Sequence, residues 1–202
     1  MFNILLCGVG GQGTVLASKM LANCAINRGE TAHTAETIGM AQRGGSVVSH
    51  VRIGSDAFSP LIPKGCADTV IAFEPAECVR VLPYLKNDGQ ILVNTLPVKP
   101  TTDTLARTSY EAADMFDFLD RQGVDYRPVD GAAILNAVGS ARSLNVALLG
   151  AASAMGAVPC TLDELETVIH TAMKPQFCEQ NLKALRFGAA LLAESCGFHG
   201  NM

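Results

Sequence analysis

The chain has 202 residues, of which 49% are hydrophobic and 17% charged, and its formal net charge is −4. This composition predicts one well-cored globular domain spanning residues 1–202 and excludes a disordered chain. An acidic balance without runs of like charge excludes the basic surface that nucleic-acid binding requires. The sequence contains neither the roughly 20-residue apolar stretch of a membrane-spanning helix nor a signal-peptide pattern. We therefore expect a cytoplasmic protein without membrane contact.

The first third of the chain predicts a strand, a helix and a second strand. An apolar run, FNILLCG, opens the sequence, and after the glycines four residues follow helical spacing: Ala17, Met20, Leu21 and Cys24. Gly29 ends this helix, and the next strand is TAHTAE. A unit of this kind predicts a right-handed crossover in a parallel sheet.

The remaining elements continue this alternation and then become helical. Further strands are predicted at SVVSHVRIG, ADTVIAF, GQILVNT and VDYRPVDG, and Pro75 is expected at a helix start. Two capping boxes are predicted, at Thr108 with Glu111 and at Thr161 with Glu164. The chain from Ala132 onward is rich in alanine and leucine and predicts helices. The expected fold is a three-layer α/β/α Rossmann-like domain with a mostly parallel sheet and a helical C-terminal part.

The stretch GVGGQG follows the first strand and opens the first helix. Its candidate ligand-binding residues are Gly8, Gly10, Gly11, Gln12 and Gly13. The spacing is that of a dinucleotide-binding turn, in which the first glycine allows the turn, the second admits the ligand and the third packs closely. Helix N-terminal N–H groups favour an anion there. The alternative is that the glycines serve only turn and packing.

A dinucleotide enzyme also needs an acidic residue near the end of the second strand, and Glu36 is the candidate. A second glycine loop follows Glu36 directly, however, with candidate residues Gln42, Arg43, Gly44 and Gly45. Arg43 could bind a carboxylate or phosphate through its guanidinium, or it could pair with a nearby acid while the glycines turn the chain. Two loops at the carboxyl ends of the first two strands are expected to converge on one crevice.

Motifs of other chemistries are missing from the sequence. It contains no nucleophile elbow, P-loop or Cys–His arrangement, and the histidines are expected to be structural. The seven cysteines form no C-x-x-C pair, so we predict no zinc or iron–sulfur ligands, and most are expected to be buried thiols. We therefore predict no catalytic residue and no metal site in this chain.

Three stretches carry a resemblance to a known family: GVGGQGTVLASKML, GMAQRGGSVVSHVRIG and NVALLGA. They resemble the beta subunits of indolepyruvate ferredoxin oxidoreductases and, more broadly, the gamma subunits of 2-oxoacid:ferredoxin oxidoreductases. The resemblance extends from Asn3 to about Leu192. Gamma subunits acting on pyruvate or branched 2-oxoacids typically carry a YGPE-RGG type of sequence where this chain has IGMAQRGG. This difference favours the arylpyruvate type.

The resemblance implies a subunit of an enzyme that oxidatively decarboxylates arylpyruvates, joins the acyl group to coenzyme A and passes electrons to ferredoxin. It also implies that thiamine diphosphate and 4Fe–4S clusters belong to a large alpha subunit, without which this chain is inactive. Both glycine loops would then shape a shared pocket for coenzyme A or the 2-oxoacid. The alternatives are a gamma subunit acting on pyruvate or another 2-oxoacid, a stand-alone NAD(P)- or FAD-binding oxidoreductase, and a regulatory nucleotide-sensing module.

Overall fold

The computed structural model describes residues 1–39, 45–56, 58–98 and 110–196, with side chains as far as residue 192. The strands are β1 (Phe2–Val9), β2 (Ala32–Ile38), β3 (Ser46–Ile53), β4 (Ala67–Ala72), β5 (Leu85–Asn94) and β6 (Tyr126–Val129). The helices are α1 (Thr14–Asn27), α2 (Pro75–Val81), α3 (Ala112–Arg121), α4 (Gly131–Val138), α5 (Leu144–Ala154), α6 (Leu162–Ala172) and α7 (Pro175–Cys196). Two short 3-10 turns, Leu82–Tyr84 and Ala141–Ser143, precede β5 and α5.

The six strands form one sheet in the order β2-β3-β1-β4-β5-β6. Neighbours β1, β4, β5 and β6 are parallel, whereas β3 pairs antiparallel with both β1 and β2. The predicted mostly parallel sheet is confirmed. The first two strands run in the same direction, as expected, but they are not neighbours, because β3 lies between them.

Alternate residues of β1 face two different helical layers. Ile4 and Leu6 belong to the larger core, which packs against α1 and α4 to α7. Leu5 and Cys7 belong to the second core, which packs against α2 and α3. Because the side chains of a strand alternate between its faces, both faces of this sheet are covered. The predicted three-layer α/β/α architecture is confirmed.

Several helix boundaries follow from local sequence. The predicted apolar face of α1 is buried, with Ala17, Met20, Leu21 and Cys24 at most 1% exposed. Gly29 follows this helix with a φ of +81°, a conformation that favours glycine. The capping box of Thr161 and Glu164 forms at the start of α6.

The other predicted capping box differs from the structure. Helix α3 begins at Ala112 with Glu111 as its N-cap, so Glu111 does not occupy the third helical position. Thr108 lies outside the described residues. Helix α2 begins at Pro75 as predicted, with Glu74 as its N-cap. The side chain of Glu74 accepts a hydrogen bond from the N–H of Glu77, which replaces a bond that the first helical turn lacks.

Two glycines let α5 and α7 pack with their backbones in contact. A Cβ atom on Gly188 would lie 1.9 Å from the carbonyl oxygen of Ala147, and one on Gly150 would lie 2.0 Å from that of Leu185. In the described residues no single helix is long and apolar enough to cross a membrane. The pair Gly131–Val138 and Ala141–Ala154, bent by 120°, meets the length and composition criteria together.

Most of the described cysteines are buried, and so is one histidine, His50. Cys7, Cys24, Cys78 and Cys160 are buried, Cys178 is intermediate and Cys66 is exposed. Burial raises the pKa of Cys78 to about 12. Buried His50 accepts the N–H of Ile62 at Nδ1, 3.2 Å away, and burial lowers its pKa. Among the described residues, no group of three or more His, Cys, Asp or Glu side chains could hold a metal ion.

Candidate functional site

The first glycine loop lies at the carboxyl end of β1, in the middle of the sheet, and Gly45, the described end of the second loop, lies beside it. After β1 the chain enters α1 on one face of the sheet, and after the neighbouring strand β4 it enters α2 on the other face. Adjacent parallel strands whose connections leave on opposite faces leave a crevice beyond their carboxyl ends. The sequence thus places GVGGQG at the position where open α/β sheets bind ligands.

Within the first loop, the glycines have different roles from those predicted. The left-handed conformations belong to Gly11, with a φ of +100°, and Gly13, with a φ of +81°. The tight turn expected at Gly8 therefore occurs at Gly11. A Cβ atom on Gly8 would lie 2.6 Å from Oε1 of Gln12 and 3.1 Å from Cβ of Phe73. Gly8 is required for space rather than for backbone conformation.

Gly13 packs closely, as expected, but its neighbour is a side chain of the C-terminal helices. A Cβ atom there would lie 2.4 Å from Nδ2 of Asn145, which donates a hydrogen bond of 3.2 Å to the carbonyl oxygen of Gly13. Asn145 belongs to α5 and is 2% exposed. The start of α1 is therefore fixed directly to the helical C-terminal part.

The side chain of Gln12 ties the first loop to the sheet. Its Oε1 accepts the N–H of Val9 at 2.8 Å, and its Nε2 donates to the carbonyl oxygen of Phe73 at 2.9 Å. The same carbonyl accepts a bond of 3.0 Å from Nδ2 of Asn94, the last residue of β5. Two side-chain amides thus join the carboxyl ends of β1, β4 and β5.

The second glycine loop meets the first through its described ends. The N–H of Gly10 donates to the carbonyl oxygen of Gly45 at 2.9 Å, and the N–H of Gly39 donates to that of Ser46, also at 2.9 Å. Val9 and Ser46 lie opposite each other in the β1–β3 pairing. The structure therefore brings Gly8 to Gly13 and Gly45 together. The other predicted residues of this loop, Gln42, Arg43 and Gly44, lie outside the described residues.

These bonds weaken the interpretation of the first loop as a dinucleotide site. The N–H groups of Val9 and Gly10 donate hydrogen bonds within the protein, to Gln12 and Gly45. They are therefore not free to bind a pyrophosphate. Glu36 is exposed on β2, and β3 separates β2 from β1. Two strand spacings amount to about 10 Å, which removes Glu36 from the position of a ribose ligand.

A buried acidic side chain beside the crevice was not predicted from the sequence. Glu74, 2% exposed, directly follows Phe73 at the end of β4. Its Oε2 accepts the N–H of Glu77 at 3.1 Å, and its Oε1 accepts the hydroxyl of Tyr110. Burial, followed by the hydrogen bond to Glu74, raises the pKa of Tyr110. The hydroxyl of Tyr110 also accepts the N–H of Ala76 at 3.2 Å.

A second buried carboxylate belongs to the same turn of α2. Glu77 is 4% exposed, and its Oε2 accepts the hydroxyl of Ser46 at 2.5 Å. Its Oε1 lies 3.3 Å from Nε of Arg80, a largely exposed side chain. The available sequence signal was FEPAE, in which an acid directly follows a buried strand and precedes the proline of a helix start.

A surface groove of about 810 Å³ lies at the other end of the sheet. Val79 lines it from α2, Leu82 from the 3-10 turn that follows, Phe118 from α3, and residues 85–90 from the start of β5. Of the predicted site residues that the structure describes, Gly8 to Gly13 and Gly45, none lines this groove.

Comparisons with known proteins agree on one family. The sequence pattern of the family described as pyruvate ferredoxin/flavodoxin oxidoreductase matches residues 3–191. A protein of Archaeoglobus fulgidus named indolepyruvate oxidoreductase subunit IorB is 38% identical over 187 residues, 92% of each chain. A protein of the same name from Methanothermobacter thermautotrophicus is 33% identical over 96% of this chain and 99% of its own.

Solved structures give the same relationship. The crystal structure of pyruvate oxidoreductase subunit PORC from Thermotoga maritima has a TM-score of 0.69 to this chain at 27% identity. The match covers 94% of this chain and 96% of that protein, so the similarity extends over the whole sheet and both helical layers.

Proposed function

Because the chain belongs to the pyruvate ferredoxin/flavodoxin oxidoreductase family, we propose that it is the beta subunit of an indolepyruvate ferredoxin oxidoreductase. Relatives named for indolepyruvate oxidoreductase are 38% and 33% identical to it, whereas the pyruvate oxidoreductase subunit is 27% identical. The stretch IGMAQRGG supports the same choice. In this proposal residues 1–202 form one gamma-type domain of a cytoplasmic enzyme.

The proposed reaction converts an arylpyruvate and coenzyme A to an acyl-coenzyme A, carbon dioxide and a proton, with two electrons passing to ferredoxin. Thiamine diphosphate and 4Fe–4S clusters, bound by a large alpha subunit, would supply the decarboxylation and electron-transfer chemistry. This chain would supply one wall of the pocket. Its contribution is to bind and orient a substrate, and it is inactive without its partner.

The proposed wall consists of both glycine loops: Gly8, Gly10, Gly11, Gln12, Gly13, Gln42, Arg43, Gly44 and Gly45. The observation that carries this proposal is the hydrogen bond from Gly10 to Gly45, which joins the loops at the crevice. The N–H groups of Val9 and Gly10 already donate hydrogen bonds within the protein. An anionic group of coenzyme A or the 2-oxoacid would therefore bind to other groups. Arg43 and the N-terminus of α1, whose first turn carries no acidic side chain, are the proposed sites.

The experiment is steady-state kinetics of the complex reconstituted with its large subunit, with a viologen as electron acceptor. Arg43→Ala is expected to raise KM for coenzyme A or for the arylpyruvate at least about tenfold, the effect of losing one charge-assisted bond. Arg121→Ala is the matched control, because Arg121 is exposed at the end of α3, remote from the loops. Equal kinetics of the two variants would contradict the assignment of Arg43.

The choice of substrate is tested with the wild-type complex. Viologen reduction that depends on indolepyruvate or phenylpyruvate supports the proposal, whereas reduction with pyruvate alone assigns the chain to the pyruvate-type gamma subunits. A thermal shift of the isolated chain with NAD(P)H or FAD would instead support a stand-alone nucleotide-binding protein.

A further inference from the structure

The first turn of α2 holds two carboxylates that the proposed reaction does not use. Glu74 and Glu77 are 2% and 4% exposed. Burying a carboxylate is costly unless hydrogen bonds replace its lost water. Here two of the hydrogen-bond donors lie outside α2: the hydroxyl of Ser46 donates to Glu77, and the hydroxyl of Tyr110 donates to Glu74. The start of α2 is therefore joined to the start of β3 and to the segment that precedes α3.

The bond between Glu77 and Ser46 acts at the junction of the two glycine loops. Ser46 follows Gly45, whose carbonyl oxygen accepts the N–H of Gly10. The carbonyl of Ser46 itself accepts the N–H of Gly39, at the other end of the second loop. Fixing Ser46 thus fixes both ends of the second loop and the acceptor for the first loop.

No other described side chain makes a hydrogen bond or ion pair to Ser46, and this makes Glu77 its specific anchor. The bond is of the charge-assisted type, because a hydroxyl donates to a carboxylate, and such bonds are roughly twice as strong as neutral ones. The other carboxylate oxygen of Glu77 pairs with Arg80, whose side chain is largely exposed. Among the described residues, Arg80 is the one ion-pair partner of Glu77.

We propose that Glu77 is a positioning residue that sets the two glycine loops against each other through Ser46. The placement itself is a property of this chain. Its consequence for catalysis, a correctly shaped pocket for coenzyme A or the 2-oxoacid, rests on the proposed function.

The direct test measures amide hydrogen exchange by NMR in the full chain. Ser46→Ala is expected to accelerate exchange at the N–H groups of Gly10 and Gly39 at least about tenfold, because their acceptors lose the side-chain anchor that Glu77 provides. Glu77→Ala is expected to do the same, whereas Glu77→Gln keeps an acceptor for the hydroxyl and should restore most of the protection. Ser153→Ala is the matched control, since that hydroxyl donates to the carbonyl of Cys160 at 2.7 Å, far from the loops.

The outcomes separate the inference from the proposed function. Unchanged exchange at Gly10 and Gly39 in folded Ser46→Ala overturns the inference, whatever the activity of the complex. Faster exchange in both Ser46→Ala and Glu77→Ala, with normal exchange in Ser153→Ala, supports it, even if the wild-type complex fails to oxidise arylpyruvates; faster exchange in Ser46→Ala alone overturns the role of Glu77. In an active complex, Ser46→Ala should raise KM several-fold with little change in kcat, and Glu77→Gln should lie close to wild type.

Discussion

The amide of Gln12 offers a quantitative test of how the first glycine loop is built. Gln12→Ala removes two hydrogen bonds, the one accepted from Val9 and the one donated to Phe73. At about 1 kcal/mol for each bond, the free energy of unfolding should fall by about 2 kcal/mol. For a chain of this size, a loss of that magnitude corresponds to a fall in Tm of about 4–8 °C.

The measurement is urea unfolding of the isolated chain, with Gln176→Ala as the control. Gln176 is exposed near the start of α7, so the same truncation there should change the free energy of unfolding by less than about 0.5 kcal/mol. If both variants unfold at the same urea concentration, the side chain of Gln12 does not hold the turn. The internal use of the Val9 N–H would then be refuted.

Two further predictions concern packing and pH. Gly188→Ala should lower the free energy of unfolding by about 3 kcal/mol, because the added methyl group meets the backbone of α5, and urea unfolding measures this loss. Burial lowers the pKa of His50, so the unfolded chain binds the proton more tightly than the folded one. Stability should therefore be full above the unfolded pKa of about 6.5 and fall as the pH decreases below it. A pH series of thermal melts should show less of this loss in His50→Gln, and an equal loss would contradict the assignment.

Local signals were enough to predict most elements of the fold. The apolar spacing of α1, the proline at the start of α2 and the capping box of α6 each depend on residues within one or two turns of each other. Strand direction is different, because strand propensity contains no information about the partner. The length of the β2–β3 connection does contain information about the direction of the partner strand. Residues 39–45 are too few for a parallel crossover, which needs a dozen or more, and so they predict a hairpin.

The candidate site was predicted only where it depends on one stretch of sequence. Gly13 and Gly45 could be identified from glycine spacing and from position after a strand. The roles of Gln12, Glu74 and Glu77 depend on which strands are neighbours: Gln12 reaches the end of β4, and Glu77 reaches the start of β3. Without the strand order, a glutamine in a glycine turn is expected to be a ligand residue, and two glutamates at a helix start are expected to be solvated.

The position of β3 explains why a familiar glycine spacing has a different use here. In a dinucleotide-binding unit, the strand that follows the first helix lies parallel to β1, and the turn after β1 remains open to a phosphate. In this chain the β2–β3 hairpin places an antiparallel strand there, and its preceding loop supplies the carbonyl of Gly45 to the N–H of Gly10. A carbonyl oxygen repels an anion at the point where a phosphate would bind. The same arrangement brings Gly45, at the described end of the second loop, beside the turn. In the proposed function, the turn contributes to the pocket by positioning that loop.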